Sequence, residues 1–153
     1  MKLRTIAWTM ILFLAAVAAC YASPQMGTWK LNEAKSKFPP GVRKNTTVVY
    51  EPAGDQVKVT TDGTEANGSP SHTEWTGKFD GKDYPLTGDP SADTRSYTKV
   101  NDSTVDLTKK KNGKVTSTGH AVVSADGKTR TVTVKGNTPD GKKISYTAVY
   151  DKQ

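Results

Sequence analysis

Cysteine is nearly absent from this 153-residue sequence, in which Cys20 is the only one. A single cysteine excludes a disulfide framework, so the folded chain must be stabilised by packing. Histidine is also scarce, because only His72 and His120 occur and their spacing does not suggest a zinc site. The chain contains no Gly-x-Ser-x-Gly nucleophile motif either. We therefore expect a protein that is not an enzyme and that holds neither a metal nor a cofactor.

Apolar residues form only one long run, which lies at the N-terminus. Two basic residues, Lys2 and Arg4, precede the apolar stretch from Ile6 to Ala19, which is shorter than the roughly 20 residues that a transmembrane helix needs. This layout predicts a secretory signal. Cleavage at the end of the segment would release the remaining chain in soluble form. We expect a signal peptide over residues 1–22 and one domain over residues 23–153.

A second interpretation of the signal stays open at Cys20. The four residues Val17–Cys20 are typical of a bacterial lipobox, in which Cys20 becomes the lipidated first residue. The protein would then be an outer-membrane lipoprotein whose only membrane contact is the lipid on Cys20. In either case we expect export to the periplasm or to the extracellular space.

Positive charge is spread along the chain and is not concentrated in one patch. Without the predicted signal, 20 basic and 15 acidic residues remain, and 17 of the 20 are lysine. Spread lysines favour solubility and discourage edge pairing between sheets, whereas nucleic-acid binding requires a dense basic patch with stacking aromatics. The one dense run, Lys109 to Lys111, lies at a predicted hairpin tip. We expect a monomer with no nucleic-acid partner.

Threonine and valine dominate the rest of the chain, and both favour extended backbone because they branch at Cβ. Asn-Gly and Asp-Gly pairs, which accept the positive φ of tight hairpin turns, begin at positions 62, 67, 80, 112, 126 and 140. The even spacing of the last three indicates antiparallel strands of similar length. The pattern therefore predicts a meander.

Ten strands follow from these turns, and several alternate apolar with polar residues as half-buried strands do. One short helical turn is predicted within Ala34–Phe38, and Thr87–Asp93 is predicted to be a loop. The predicted strands are Gly27–Asn32, Thr46–Glu51, Gln56–Thr61, His72–Phe79, Lys82–Leu86, Thr94–Val100, Thr104–Lys110, Lys114–Ser124, Thr129–Lys135 and Ile144–Asp151.

Large apolar residues are too few for two packed sheets. From Pro24 onward, Val, Ile, Leu, Met, Phe, Trp and Tyr together number 27 in 130 residues. A closed barrel with a partly polar interior needs fewer of them, and closure removes exposed strand edges. We therefore predict an all-β fold, a single antiparallel up-and-down barrel of about ten strands.

Four segments carry a family resemblance. Gly-Thr-Trp-Lys-Leu over Gly27–Leu31 resembles the opening of fatty-acid-binding proteins, and its Gly-x-Trp element is shared with lipocalins. The end, Ala148–Lys152, is similar to the close of the fatty-acid-binding group. Together with Ala34–Phe38 and Phe79–Pro85, the opening also resembles small exported bacterial lipocalin-like (calycin-type) proteins of unknown function, over nearly the whole mature chain.

The resemblance implies a barrel with a structural Gly27 and Trp29 at its floor, and it also marks two departures. Fatty-acid-binding proteins have a two-helix lid after the first strand, but the twelve residues here contain two prolines and cannot build it. Their last strand carries a carboxylate-gripping arginine two residues before the tyrosine, and Ala148 stands at that position. We therefore expect fatty acids to bind weakly.

Candidate ligand contacts are aromatic residues on strands whose alternation points them inward, with a few polar groups among them. Arg130 is in phase with Val132 and Val134, and His120 lies on a strand rich in valine and alanine. Ordinary packing or a solvated side chain remains the alternative for each candidate. The candidates are Tyr50, Trp75, Phe79, Tyr97, His120, Arg130, Tyr146 and Tyr150.

Two functions stay open from the sequence. The first is binding of a small, largely apolar molecule in the barrel cavity, because ligand sites are mostly apolar with a few polar anchors. The second is a non-enzymatic structural or protein-interaction module of the cell envelope with a packed interior. An interior cavity of about 300 Å³ or more would favour the ligand, and a filled interior would favour the module.

Overall fold

A computed structural model describes residues 23–138 and 140–153. The predicted signal segment and Cys20 lie outside the described residues, so both interpretations of the signal remain predictions. All ten predicted strands are present, with ends that differ from the prediction by at most three residues. The strands are β1 (Gly27–Leu31), β2 (Lys44–Ala53), β3 (Gln56–Thr64), β4 (Pro70–Gly77), β5 (Tyr84–Thr87), β6 (Thr94–Lys99), β7 (Thr104–Lys111), β8 (Lys114–Val123), β9 (Thr129–Asn137) and β10 (Lys143–Lys152).

The strands form one closed antiparallel barrel in which each pairs with its neighbours along the chain. Closure occurs at β1, which pairs with β2 on one side and with β10 on the other. Trp29 lies opposite Val48 in the first pairing and opposite Lys152 in the second. The predicted all-β, up-and-down architecture is confirmed.

The two ends of the barrel differ in what closes them. The Trp29 end contains the start of β1, the end of β10 and the turns at 54–55, 78–83, 100–103 and 124–128. The opposite end, here the Asp89 end, contains segment 32–43 and the turns at 65–69, 88–93, 112–113 and 138–142. Side chains alternate between core and solvent along several strands, most regularly along β4.

Five of the six Asn-Gly and Asp-Gly pairs lie in turns with a positive φ at glycine, as predicted. The expectation for Asp62-Gly63 was wrong, because both residues lie within β3. A Cβ at Gly63 would come within 2.0 Å of the Lys44 carbonyl oxygen, beside a bulge in β2 between Asn45 and Thr47. Close approach of a neighbouring strand, and not a turn, requires this glycine.

Segment 32–43 contains no helical lid. A single 3-10 turn, Glu33–Lys35, is capped by the Asn32 side chain and replaces the helical turn expected within Ala34–Phe38. Phe38 packs against Tyr146 at a ring distance of 5.2 Å, which ties the segment to β10. Across the described ranges, no helix is long and apolar enough to span a membrane.

Candidate functional site

A row of hydrogen-bonded polar side chains crosses the barrel interior. Arg130 Nε donates to Gln25 Oε1 at 3.0 Å, and Arg130 Nη2 donates to the Tyr50 hydroxyl at 2.6 Å. The Tyr50 and Tyr97 hydroxyls lie 3.3 Å apart, and Arg95 Nη1 donates to the Tyr97 hydroxyl at 3.3 Å. Two guanidinium groups are thus linked through two phenols.

Strand alternation places both guanidinium groups inside. Arg95 and Tyr97 are two residues apart on β6, and Arg130 is in phase with Val132 on β9. Arg95 is 5% exposed and Arg130 is 3% exposed. From the sequence, both an inward and a solvated guanidinium were open for Arg130, and the structure shows the inward orientation.

No carboxylate among the described residues pairs with either of the two arginines. Within residues 23–138 and 140–153, neither Arg95 nor Arg130 forms a salt bridge. Arg95 Nε is buried and has no hydrogen-bond partner in the same part of the chain. A buried charge is costly when it is unpaired. The two buried cations would therefore be stabilised by a negatively charged hydrogen-bond acceptor.

Two of the interior phenols, Tyr50 and Tyr150, have raised pKa values. Burial raises the pKa of Tyr50 well above its usual value, although the charge of Arg130 opposes the shift. Burial also raises the pKa of Tyr150, again opposed by Arg130. The Arg130 guanidinium carbon lies 5.0 Å from the Tyr50 ring centre and 5.9 Å from that of Tyr150. Electrostatic attraction to these rings offsets part of the cost of its burial.

A second charged group, here the Asp89 cluster, lies at the Asp89 end and consists of Arg43, Glu65, Asp89 and Lys109. Lys109 Nζ donates to Asp89 Oδ2 at 2.7 Å. Arg43 lies 3.5 Å from Asp89 and 3.4 Å from Glu65, as ion pairs without hydrogen-bond geometry. The Asp89 side chain is only 2% exposed, so its carboxylate is shared by two cations in a largely dry environment.

The cluster shifts the pKa of both partners in its closest ion pair. Burial alone would raise the pKa of the Asp89 carboxyl, but Lys109 and Ser91 hold it well below its usual range. Burial and the nearby charge of Arg95 lower the pKa of Lys109 to about 8, against the opposing effect of Asp89. A single buried carboxylate cannot compensate every cation around it, and lysine is the cation that can lose a proton.

A cavity of about 70 Å³ connects the row and the cluster. Charged and phenolic groups form much of its wall, with a few apolar side chains from β2, β7, β9 and β10. It is far smaller than the 300 Å³ expected of a site for a drug-sized apolar molecule. The charged and phenolic groups in its wall are Arg95, Lys109, Arg130, Tyr50, Tyr97, Tyr146 and Tyr150, and Asn45, Thr61 and Ser117 are the other polar residues there.

A second cavity of about 200 Å³ lies at the Trp29 end. Its apolar wall is formed by Met26, Val57, Phe79 and Val105. Phe79 also packs against Tyr97, with ring centres 5.1 Å apart. The Phe79 ring therefore lies between the aromatic wall of the interior cavity and this second cavity.

The predicted ligand residues fall into three groups. Tyr50, Tyr97, Arg130, Tyr146 and Tyr150 line the interior cavity. Two others do not: Phe79 lines the second cavity, and Trp75 is buried with its indole nitrogen donating to the Arg95 carbonyl at 2.8 Å. Whether any of them binds a ligand remains a prediction.

His120 does not point inward. Its side chain is 55% exposed on the outer face of β8, where Nδ1 lies 2.6 Å from Asp106 Oδ1. The neighbouring Ala121 is the residue that faces the core. Valine occurs on both faces of β8, with Val122 exposed and Val123 buried, so the apolar pattern does not identify the inner face.

Sequence reasoning missed Arg43, Asp89, Arg95 and Lys109. Arg95 had a usable signal, because it shares its strand face with Tyr97 just as Arg130 does with Val132. Lys109 lies in the lysine run that we assigned to a hairpin tip, yet it is part of the cavity wall. Arg43 and Asp89 lie in irregular segments, for which alternation predicts nothing.

The predicted structural pair lies at the Trp29 end. Trp29 is 0% exposed, and its indole nitrogen donates to the Gln25 carbonyl at 2.9 Å. Lys152 Nζ lies 4.6 Å from the centre of the indole ring. Gly27 has φ 103°, and a Cβ there would approach the Lys152 side chain at 3.0 Å. The indole closes this end of the barrel.

Comparison with known proteins does not assign this chain to a family. The sequence matches no family model, and a search of curated proteins finds no match. One similar solved structure is that of a redesigned β-barrel, mFAP1, bound to DFHBI. It is 18% identical, covers 86% of this chain and 99% of its own, and has a TM-score of 0.47. The barrel assignment here follows from the strand pairing of this chain.

Proposed function

We propose that this protein binds the anionic group of a small organic acid inside its barrel. The observation that supports this most is the pair of buried guanidinium groups, Arg95 and Arg130, which lack a carboxylate partner among the described residues. Both contact the phenols that line the interior cavity. A carboxylate entering this cavity would neutralise charge that the folded chain leaves uncompensated.

The arrangement of donors also favours a carboxylate. The Tyr50 and Tyr97 hydroxyls each accept from an arginine, and only one of them can donate to the other. One phenol proton is therefore left over, as is the Arg95 Nε–H. A carboxylate has two oxygens that accept hydrogen bonds and no donor of its own when ionised. It would satisfy both leftover donors.

The size and polarity of the cavity limit the ligand. A volume of about 70 Å³ is well below the 150 Å³ of an engineered cavity that binds benzene. The ligand that we propose is therefore smaller and more polar than the apolar molecule expected from the sequence. We propose in addition that binding takes place outside the cytoplasm, on the basis of the signal-like N-terminal segment.

Titration with sodium glycolate tests the proposal. Glycolate has five non-hydrogen atoms, so a limit of about −1.5 kcal/mol per atom gives at best a micromolar Kd, and we expect high micromolar to millimolar. NMR shifts on β2, β6 and β9, together with a higher Tm at saturating glycolate, would support binding. The uncharged analogue glycolamide should produce neither effect.

Two variants localise the site. Arg95→Met and Arg130→Met keep an unbranched side chain but remove the charge, and each should weaken glycolate binding at least tenfold. Lys58→Met is the matched control, because Lys58 is an exposed strand residue paired with Glu74 at 3.2 Å. Equal affinity in all three variants, or equal response to glycolamide, would contradict the proposal.

A packed structural or interaction module is the second candidate function. It is favoured by the cavity volumes, about 70 and 200 Å³, each of which is below the 300 Å³ expected for a ligand site. In a module of this kind the uncompensated arginines would only lower stability. Arg95→Met should then stabilise the fold and leave binding to the partner protein unchanged. No response to glycolate in the wild-type protein would favour this candidate.

A further inference from the structure

Lys109 is a cavity-lining amine that the anion site does not require. Its side chain is 17% exposed, and it shares the wall of the interior cavity with Arg95 and Arg130. Its neighbour Lys110 points to the surface and pairs with Asp83 at 2.7 Å. Two adjacent lysines on β7 thus occupy contrasting environments.

The charged groups around Lys109 come from several elements. Arg95 on β6 and Arg43 before β2 place positive charge near its ammonium group. Asp89, in the turn after β5, is the carboxylate that it contacts, and Glu65 pairs with Arg43 and not with Lys109. Tyr146 on β10 lines the same cavity. Positive charge around the site outnumbers negative charge.

The cationic side chains of the cavity and of the Asp89 cluster differ in whether they can lose a proton. Arginine stays protonated in proteins, so Arg43, Arg95 and Arg130 are fixed charges. Lys109 is the member that can release a proton, and burial and Arg95 both favour its neutral form. A desolvated lysine next to another cation is the environment in which amines attack carbonyl groups.

We propose that Lys109 forms a reversible imine with the carbonyl group of a small acid whose carboxylate is held by Arg95 and Arg130. This inference rests on the proposed function, because the two arginines orient the acid. It also narrows the ligand class from small acids to small acids that carry an aldehyde or ketone. No such reactivity follows from the anion site alone.

The reaction balances without an oxidant or reductant. The Lys109 ammonium first releases a proton to solvent, and the free amine nitrogen forms a bond to the carbonyl carbon. The nitrogen then loses its two remaining protons, and the former carbonyl oxygen takes up two protons and leaves as water. A carbon–nitrogen double bond remains, so the net change is amine plus aldehyde to imine plus water.

Reductive trapping with glyoxylate and cyanoborohydride tests the imine. The hydride converts the imine to a stable secondary amine, which fragmentation mass spectrometry locates on the folded full-length chain. At pH 8 about half of a lysine with a pKa near 8 is neutral, against less than about 1% of an ordinary lysine. We expect Lys109 to be labelled at least tenfold faster than Lys110.

Matched variants and the pH profile separate this reaction from general lysine labelling. Lys109→Arg keeps the charge but cannot form an imine, so the fast label should disappear, whereas Lys110→Arg should retain it. In the wild-type protein the fast rate should rise to a plateau with a midpoint near pH 8. Labelling of Lys109 no faster than that of Lys110, or a fast label that survives Lys109→Arg, would overturn the inference.

Two further measurements show whether a negative result concerns imine formation at Lys109 or the proposed binding of the anion. Glycolate binds through its carboxylate but has no carbonyl to react, so binding of glycolate without trapping of glyoxylate refutes only the imine. Acetaldehyde carries the carbonyl without the acid. Trapping of acetaldehyde at Lys109 as fast as glyoxylate would show a reactive lysine without the anion site, and would refute the ligand class proposed here.

Discussion

The hydroxyl oxygens of Tyr50 and Tyr97 lie 3.3 Å apart across the barrel, and each accepts a hydrogen bond from a different arginine. Tyr50 is on β2 and Tyr97 is on β6, so the contact joins opposite walls of the closed sheet. Two buried cations are thereby held near one another with only neutral groups between them. This arrangement is costly for stability, and it is the feature on which the proposed anion site depends.

The Tyr50–Tyr97 contact should contribute measurably to stability. Tyr97→Phe leaves Tyr50 and Arg95 each without one partner, and an unsatisfied buried group costs about 1–3 kcal/mol. Tyr84→Phe is the control, because the Tyr84 hydroxyl donates to Asp80 at an exposed site and its loss should cost less than about 1 kcal/mol. Urea unfolding of both variants checks the difference, and equal losses would show that the interior contact is unimportant.

Lys109 should make stability depend on pH in the alkaline range. Its folded pKa of about 8 lies below the ordinary value near 10.4, so between these pH values the unfolded chain binds more protons. Stability from this group therefore rises with pH, by on the order of 3 kcal/mol over the full window. Lys109→Arg does not titrate and should lack the rise, whereas Lys110→Arg should retain it.

Unfolding in guanidinium chloride at pH 7.5, 8.5 and 9.5 measures the effect. Comparison of the two variants removes the contribution of the other lysines, which titrate in both. Parallel curves for Lys109→Arg and Lys110→Arg would show that Lys109 has an ordinary pKa in the folded protein.

Trp29 should be among the most costly side chains to remove. It is fully buried, and Trp29→Ala should destabilise the fold by about 3–5 kcal/mol, a large part of the 5–15 kcal/mol that a domain usually has. Trp29→Phe keeps a ring at the barrel end but loses the hydrogen bond to Gln25, so its loss should be smaller. An unchanged denaturation midpoint for Trp29→Ala would show that the indole does not close the barrel.

The hairpin between β7 and β8 should require glycine at position 113. Asn112 and Gly113 have φ values of 49° and 75°, which are those of a two-residue turn with both central residues in the left-handed region. Gly113→Val should therefore cost about 1 kcal/mol or more, because a β-branched residue resists positive φ. Asn112→Gly should be nearly neutral, and equal stability of both variants in urea would contradict the turn.

Strand number, order and most of the inward faces could be predicted from the sequence because they depend on local chemistry. Alternation of Val132 and Val134 with threonine identified the inner face of β9, which Arg130 shares, although a solvated guanidinium remained the alternative for that residue. Positive φ at Asn-Gly and Asp-Gly pairs marked five turns. The turn predicted at Asp62-Gly63 was wrong. The glycine is required there because a neighbouring strand comes close, and not because the backbone turns.

The contacts between charged side chains could be seen only in the tertiary structure. Arg43, Asp89 and Lys109 come from three distant segments, and no spacing between them predicts that they share one dry end of the barrel. Cavity volume likewise depends on how opposite walls interdigitate, and Tyr50 and Tyr97 fill much of the space that a larger ligand would need. Alternation along a strand is a property of neighbouring residues, whereas burial, charge balance and volume are properties of the closed sheet.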